Sequence, residues 1–210
     1  MSTFTKQILR IFLVPAILIF VGNNLSAQKK QIGIDVGFGK TETQENNPHI
    51  RPFGENNQNL GDYFRIGFCY QYTPKKVFSF STGMYYDHRS DIDQGIGINA
   101  AFLRVPAGIE LSVGQRFQLV LGFGLYSGVL ISYNGSEEPN KLNLGFQGNV
   151  GIAFELSTKV NFEITYQKDY DITKFYTYYH RSPGGAEYSA PFSGYDGFLN
   201  LSLKFDLMKK

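Results

Sequence analysis

Residues 101–131 carry the feature that most constrains the fold, a regular alternation of apolar side chains with small or polar ones. The apolar set is Leu103, Val105, Ala107, Ile109 and Leu111, followed after the polar link 112–116 by Phe117, Leu119, Leu121, Phe123, Leu125 and Val129. A period of two residues predicts β-strands, because successive side chains of a strand point to opposite faces. Both strands of this predicted hairpin reach the roughly 9–11 residues that a tilted strand needs to cross a bilayer.

The alternation by itself fits two opposite arrangements. In a soluble sandwich or barrel the apolar face packs inward. In a membrane barrel the apolar face contacts lipid and the polar face lines the lumen. The rest of the chain has to decide between them.

The first 27 residues have the three parts of a secretory signal peptide. Lys6 and Arg10 form the positive region, residues 11–22 are an apolar run, and residues 25–27 (Leu-Ser-Ala) form a small-residue cleavage site. The apolar run contains Pro15 and is shorter than the roughly 20 residues of a spanning helix. We therefore expect an exported protein, with a signal peptide at residues 1–27 and a mature domain at residues 28–210.

Alternation continues along the mature chain and predicts eight strands, at residues 31–40, 63–72, 77–87, 101–111, 117–131, 142–156, 160–167 and 198–207. The links between them alternate between long and short, and the longest are 41–61 and 168–194. An even number of strands, with long extracellular loops and short periplasmic turns, is typical of outer-membrane barrels. The sequence therefore predicts an all-β, eight-stranded antiparallel up-and-down transmembrane barrel in the cell outer membrane.

Aromatic residues gather near both ends of the predicted strands, as in the girdles of membrane barrels. One set is Tyr70, Tyr72, Phe78, Phe117, Phe154, Phe162 and Phe205, and the other is Tyr86, Tyr133, Phe146 and Tyr166. The alternative fold is a soluble exported carrier of lipocalin type, with the same strands turned inside out. Asp35, Arg65 and Glu110 would then face the solvent.

The polar face of the strands carries charges of both signs: Asp35, Arg65, Asp87, Arg104, Glu110, Glu155, Glu163, Lys204 and Asp206. An eight-stranded barrel is just wide enough for side chains to fill it. Mixed signs allow pairing, and an unpaired buried charge is costly. We therefore expect a plugged or narrow lumen.

Overall charge bears on partners. The chain has 20 Lys and Arg against 18 Asp and Glu, and removal of Lys6 and Arg10 with the signal peptide leaves 18 of each. A neutral mature chain lacks the electrostatic footprint of a nucleic-acid-binding protein. Cys69 is the single cysteine, so the chain cannot form an internal disulfide.

Several soft motifs resemble those of the outer-membrane protein β-barrel domain family of Bacteroidota, the PorT-like group. They are the end of the signal peptide at residues 26–28, the strand 103–106 (Leu-Arg-Val-Pro), residues 121–124 (Leu-Gly-Phe-Gly), and Asn143-Leu144-Gly145 leading to Gly151. The resemblance covers residues 29–207. It implies the barrel fold, and for some members a role in protein secretion.

Two His-x-Ser triplets, at residues 88–90 and 180–182, are the strongest candidates for catalysis. Lipid A deacylases of the outer membrane use such a pair with a glutamate, because serine needs a base and the base needs an orienting acid. Glu187 is the candidate acid for His180. Both triplets fall in predicted loops, whereas those enzymes place theirs on a strand against lipid. We predict no catalytic residue and no enzyme, and keep a lipid A-modifying acyl hydrolase as the alternative.

Metal and phosphate sites are also not expected. His49, His88 and His180 are the only histidines, and no ligand spacing recurs around them. Gly39-Lys40-Thr41 is similar to the end of a phosphate-binding loop, but the pattern requires a glycine where Ile34 stands. We predict no metal and no cofactor.

Tyrosines crowd the predicted loop 168–194, at positions 170, 176, 178, 179 and 188. Such a loop suits contact with a protein or a glycan, and function tends to sit on loops over a rigid scaffold. The expected partners are therefore outer-membrane lipid, the barrel assembly machinery, and a protein or glycan at the extracellular loops.

Outer-membrane barrels usually end on an aromatic residue, and here Phe205 is followed by residues 206–210.

Overall fold

The computed structural model describes residues 29–45, 59–75, 77–90, 99–135, 139–173, 176–181 and 187–207. Through these ranges run β1 (Lys29–Glu45), β2 (Asn59–Lys75), β3 (Phe78–Ser90), β4 (Ala100–Gly114), β5 (Phe117–Tyr133), β6 (Leu142–Ser157), β7 (Val160–Asp171), β8 (Tyr176–Arg181) and β9 (Glu187–Asp206). The predicted signal peptide and His49 lie outside the described residues.

Neighbouring strands pair antiparallel, and the pairing of β1 with β9 closes the sheet into a barrel. β7 and β8 both pair with β9, one beyond the other, so the barrel wall has eight strand positions. The predicted eight-stranded antiparallel barrel is confirmed. Within the described ranges, no helix has the length and apolar character of a membrane span.

The strands are longer than predicted, because the alternation of inward and outward residues continues into segments with the composition of loops. The largest difference lies in residues 168–194, predicted as the longest loop. β7 continues to Asp171, and the same segment contains β8 and the first part of β9. The links 76–77, 115–116 and 158–159 are correspondingly shorter than the predicted turns. These short links lie at the same end as Lys29 and Leu207, the first and last described residues, and this is the periplasmic end in barrels of this kind.

The hairpin of β4 and β5 turns sharply after Gly114. This glycine has a φ of 137°, a conformation that residues with a Cβ atom rarely adopt. A Cβ added at this position would stand 2.0 Å from the carbonyl oxygen of Phe117. The tight periplasmic turn therefore requires glycine here.

The apolar face of the sheet points outward. Phe68 and Phe123 are 67% and 60% exposed, whereas the inward Asp35 and Arg104 are 4% and 0% exposed. Other exposed apolar residues surround the barrel: Ile34, Phe38, Ile66, Met84, Ile109, Leu119, Leu121, Leu125, Val150, Leu199 and Leu203. Polar inside and apolar outside is the arrangement of a barrel in lipid. The soluble lipocalin-like alternative, which needs the reverse, is therefore wrong.

Aromatic side chains stand on the outer face near both ends of the barrel. Phe117 and Phe205 are exposed at the periplasmic end, and Phe117 meets the ring of Phe154 edge-on at 5.0 Å. Tyr86, Phe146 and Tyr166 are exposed towards the other end. Tyr72 differs from the prediction because it is buried, at a β-bulge where its ring stacks on Phe80.

Aromatic rings fill the hollows that glycines leave in the inner wall. The ring of Tyr85 lies where a Cβ on Gly67 or Gly83 would be, 2.6 Å from both added atoms. Phe198 covers Gly37 in the same way, at 2.8 Å. Glycine in a strand often marks such a close approach, and here it lets large rings lie flat inside a narrow barrel.

Candidate functional site in the barrel lumen

Charged side chains line the inner wall. In the described residues the buried ones are Asp35, Arg65, Asp87, Arg89, Arg104, Glu110, Glu163, Asp169, Asp171, Asp196 and Lys204. Most of the predicted lumen charges are among them. Glu155 is not, because it is exposed near the end of β6. Asp206 is not fully buried either, and it lies at the periplasmic rim with its Oδ1 3.2 Å from Lys29 Nζ.

Arg89, Asp169, Asp171 and Asp196 were missed by the sequence argument because they fall outside the predicted strands. A signal was present in the sequence. Arg89 follows Asp87 at a spacing of two, the two aspartates continue the inward row of β7, and Asp196 continues the inward row of β9. The surrounding serine, glycine and tyrosine residues ended the predicted strands too early.

We call the charged group nearest the extracellular end the upper cluster. It consists of Arg65, Arg89, Arg104, Asp87, Asp169, Asp171 and Asp196. Arg104 lies at its centre, with Nη1 3.0 Å from both Asp87 Oδ2 and Asp169 Oδ2. Its Nη2 is 3.2 Å from Asp196 Oδ2 and 3.7 Å from Asp171 Oδ1. One guanidinium therefore contacts all four carboxylates, which come from β3, β7 and β9.

The other two arginines bind the same aspartates from the sides. Arg65 donates Nε and Nη2 to the two oxygens of Asp87, at 2.8 and 2.7 Å, and Nη2 also lies 2.9 Å from Asp169. Arg89 makes two-bond pairs with both Asp171 and Asp196. Paired hydrogen bonds of this kind are the strong and orientation-specific form of the arginine–carboxylate contact.

Tyrosine hydroxyls and an amide complete the coordination of the carboxylates. Tyr63 donates to Asp87 Oδ2 at 2.7 Å, Tyr126 donates to Asp171 Oδ1, and Gln167 Nε2 donates to Asp169 Oδ1 at 2.8 Å. Because these donors come from β2, β5 and β7, the network reaches most of the barrel wall.

Aromatic rings flank the guanidinium groups. The Arg104 Cζ atom is 4.4 Å from the centre of the Tyr126 ring, and Arg65 Cζ is 4.7 Å from the centre of the Phe198 ring. Phe102 lies 5.2 Å from Arg89 Cζ. Cation–π contacts of this type are strongest where the cation is desolvated, as it is here.

Glycines make room for the cluster. A Cβ added at Gly194 would stand 2.5 Å from Asp171 Oδ2 and 2.8 Å from Arg89 Nη1. A Cβ at Gly128 would stand 2.9 Å from Arg104 Cγ. The upper cluster therefore requires glycine at these two positions, because a side chain there would collide with its charged groups.

A second charged group, the lower cluster, lies nearer the periplasmic end and consists of Asp35, Glu110, Glu163 and Lys204. Lys204 Nζ is 2.6 Å from Glu163 Oε2 and 3.8 Å from Glu110 Oε2. Gln71 donates to Glu110 at 2.6 Å. Asp35 accepts hydrogen bonds from the hydroxyls of Tyr85, at 2.6 Å, and Ser202.

Some buried polar atoms of the inner wall have no hydrogen-bond partner among the described residues. They include Thr41 Oγ1, both amide atoms of Asn143, Thr165 Oγ1 and Asn200 Oδ1. Thr165 and Asn200 are directly opposite each other on β7 and β9, between the two clusters. Unpaired polar atoms in such positions are the usual sites of ordered water.

The first His-x-Ser triplet lies on a strand, so its assignment to a loop was wrong. His88 and Ser90 are on β3 and share the parity of the outward-facing Met84 and Tyr86. The Ser90 hydroxyl lies 3.4 Å from the carbonyl oxygen of Asp62, and no described hydrogen bond joins it to His88. Of the second triplet, the structure gives only backbone positions: His180 on β8 pairs with Tyr188, and Glu187 begins β9. Ser182 lies outside the described residues.

The other candidate motifs also have places in the barrel. Gly39-Lys40-Thr41 lies within β1 rather than in a loop, and Lys40 Nζ is 2.5 Å from Asp62 Oδ1 in an exposed ion pair. Across the part of the chain that is described, no group of three or more His, Cys, Asp or Glu side chains has the arrangement of a metal site.

Comparison with known proteins gives a family match. The sequence model of the outer membrane protein beta-barrel domain matches residues 12–200. No curated protein matches the sequence.

Several solved outer-membrane proteins are similar to this chain at low sequence identity. OprG from Pseudomonas aeruginosa is 11% identical, with 89% of this chain and 100% of that chain covered and a TM-score of 0.52. AlkL is 11% identical, with 87% and 92% covered and a TM-score of 0.51. Neisserial surface protein A is 13% identical, with 84% and 96% covered and a TM-score of 0.48. At these identities the likeness to OprG and AlkL concerns the fold alone.

Proposed function

This chain belongs to the outer membrane protein beta-barrel domain family, and we propose that it is a non-enzymatic member with a closed lumen that acts through its extracellular end. The outer membrane is its location, as the family and the fold of OprG indicate. The observation that carries the proposal is the upper cluster, in which the charged side chains of the lumen are paired with one another.

A closed lumen follows from how the upper cluster spans the barrel. Its three arginines and four aspartates reach from β2, β3 and β4 to β7 and β9, with side-chain exposure of 4% or less. Tyr63, Phe102 and Tyr126 are buried beside them. An eight-stranded barrel has little space beyond what side chains fill, so a file of solvated ions has no path at this level.

Single-channel recording tests the closed lumen. The purified wild-type protein in a planar bilayer should give no stable conductance. The double variant Arg104→Ser with Asp169→Ser, which removes two central side chains, should conduct measurably more. Arg116→Ser, in the exposed β4–β5 turn, is the matched control. Large steady conductance of the wild type would refute the proposal.

Surface binding is the second part of the proposal. β1, β2 and β9 have 17, 17 and 20 residues, more than the roughly 9–11 that a crossing needs. The wall therefore extends beyond the bilayer and supports the tyrosine-rich segment. Deletion of residues 174–190 should abolish adhesion to surfaces or ligands while the barrel keeps its heat-dependent gel mobility. Unchanged adhesion in every assay would contradict this part.

Membership of the PorT-like group, with a part in protein secretion, would be a narrower version of this function. Its support is the resemblance of residues 103–106, 121–124 and 143–151 to that group. Deletion of the gene, followed by quantification of secreted proteins, tests it. Unchanged secretion would refute the role in protein secretion and would leave the proposed closed lumen and surface binding unaffected.

A lipid A acyl hydrolase is the alternative, and one observation favours it. His88 and Ser90 share the outward face of β3 near the extracellular end, where the acyl chains of the outer leaflet would lie. Mass spectrometry of lipid A from cells carrying wild type, Ser90→Ala or Ser182→Ala tests it. The proposal expects identical lipid A in all three, and an acyl chain retained only in a serine variant would establish the enzyme.

A further inference from the structure

β8 is the continuation of β7 after a break. Tyr170 of β7 pairs with Tyr195, and Tyr176 of β8 pairs with Phe192. Between these two pairs lie five residues on the side of β7 and β8 and only two on the side of β9. The break is fixed to β6, because the backbone N–H groups of Ile172 and Thr173 both donate to the Leu144 carbonyl, at 2.7 and 3.2 Å.

The side of β8 that faces away from β9 has no strand beside it in the described part of the chain. In the barrel order the neighbour on that side is β6, which begins only at Leu142, two residues before the point where the break is fixed. β5, on the other side of β6, rises further, to Tyr133. Among the described residues, the extracellular rim therefore has a notch above β6, with the edge of β5 on one side and the edge of β8 on the other.

The β5 side of the notch is partly apolar. A pocket of about 380 Å³ is lined there by Leu130, Ile131, Ser132, Tyr133 and Lys141. Ile131 is 54% exposed. The notch therefore offers apolar surface on the β5 side as well as a backbone edge on the β8 side.

The register of β8 against β9 indicates which backbone groups are free to pair. Thr177 stands opposite Pro191, which has no N–H to donate. In an antiparallel ladder, opposite residues either exchange both hydrogen bonds or exchange none, and proline is tolerated in the second kind of pair. Thr177, Tyr179 and Arg181 therefore point their N–H and C=O groups away from β9, into the notch.

β8 has only part of the usual protection of an edge strand, because it is short, follows a break and carries one arginine, Arg181. Natural edges are blunted with proline, lysine, bulges or short length. The six residues of β8 (Tyr-Thr-Tyr-Tyr-His-Arg) contain neither proline nor lysine, and four of them are tyrosine or threonine, which favour strands. An edge without proline or lysine on a face in contact with water is retained at a risk of aggregation unless it has a partner.

We propose that the β8 edge binds an extended segment of a partner polypeptide, which adds to the sheet as a further strand above β6. This inference rests on the proposed surface-binding function and names its partner class. A ladder of alternating backbone donors and acceptors is matched by another extended chain, which gives affinity through the backbone and specificity through alternate side chains. The occupant is therefore a polypeptide rather than a glycan.

The test uses the full-length mature protein in lipid nanodiscs and a phage-displayed library of random linear peptides of about ten residues, the upper end of ordinary strand length. Peptides enriched on the wild type are then measured against three variants. Tyr179→Pro and Thr177→Pro remove outward N–H groups at positions where an edge strand tolerates proline. Tyr179→Ala changes the side chain and keeps the N–H group. Heat-dependent gel mobility verifies that each variant is a folded barrel.

We expect the dissociation constants of enriched peptides for Tyr179→Ala to lie within about threefold of the wild-type values. Both proline variants should bind the peptides at least about tenfold more weakly, because a backbone hydrogen bond is lost and the proline ring obstructs the incoming strand. Equal binding to folded proline variants, or no enrichment of peptides at all, would overturn the inference. Clustering of lipid vesicles that carry the wild-type protein, but not of vesicles that carry Tyr179→Pro, would also overturn it, because the β8 edge would then bind a second copy of this chain. If adhesion is lost on deletion of residues 174–190 but unaffected by Tyr179→Pro, the proposed function stands and only this inference fails.

Discussion

Arg89 on β3 and Asp196 on β9 form a two-bond ion pair across the lumen, with Nε 2.9 Å from Oδ1 and Nη2 2.6 Å from Oδ2. The two residues are 107 positions apart in sequence. Both side chains are almost completely buried. Arg104 contacts the same Asp196 Oδ2, so the pair is one part of a network that ties opposite walls of the barrel together.

Removal of the central arginine should destabilise the barrel strongly. Arg104→Met leaves four aspartates with one cation fewer, and breaking a buried pair costs about 3–5 kcal/mol. Arg116→Met, in the exposed turn, should change the free energy of unfolding by no more than about 0.5 kcal/mol. Urea unfolding in detergent micelles, read as loss of the heat-dependent gel shift, measures both. Equal stability of the two variants would contradict the role of Arg104.

Arg65 and Asp87 should be energetically coupled. Each single change, Arg65→Met or Asp87→Leu, leaves an unpaired charge, whereas the double variant removes both. A double-mutant cycle should therefore give a coupling energy of about 0.5–3 kcal/mol. The control cycle combines Arg65→Met with Asp62→Asn, since Asp62 is exposed and bonded to Lys40. That cycle should be additive within about 0.5 kcal/mol, and coupling of the same size in both would mean that the effect is not specific to the pair.

Two glycines offer a matched test of how tightly the upper cluster is packed. At Gly194 an added Cβ meets Asp171 Oδ2 at 2.5 Å, whereas at Gly148 the nearest atom is 3.9 Å away. Gly194→Ala should lower the free energy of unfolding by about 1–3 kcal/mol, the usual cost of overpacking. Gly148→Ala should be neutral or slightly stabilising, because alanine loses less chain entropy than glycine. Equal free energies of unfolding for Gly194→Ala and Gly148→Ala would mean that the side chains of Arg89 and Asp171 can move away from the added Cβ atom.

Depth in the membrane should decide the cost of a charge on the outer face. Phe123 and Leu156 are similarly exposed, but Phe123 lies near the middle of β5 and Leu156 lies beside the periplasmic turn. Phe123→Arg should cost about 2–4 kcal/mol and Leu156→Arg about 0–1 kcal/mol. Unfolding from lipid vesicles measures the difference. Equal costs would place the lipid band elsewhere on the barrel.

Alternation decides a great deal of this fold, because side-chain period and face are coupled in a strand. Rows such as those through Leu103 and Phe123 were sufficient to predict strands. The signal peptide, the alternating link lengths and the aromatic girdles were needed as well to place the apolar face outward and the charges Asp35, Arg65 and Arg104 inward. Loop composition was the weaker guide. It ended two strands before Arg89 and Asp171 and began the last strand after Asp196, although the spacing of two continued through these residues.

The amino-acid sequence by itself determined that this chain is a barrel with a polar interior. Which charges meet was decided only by the tertiary structure. Pairing of β1 with β9 closes the sheet and, with the register of each ladder, fixes the height of every inward side chain. Arg104 therefore faces residues of β3, β7 and β9 that no local pattern connects to it. The notch beside β8 has the same origin, since the shift of three residues after β7 exists only in the pairing with β9.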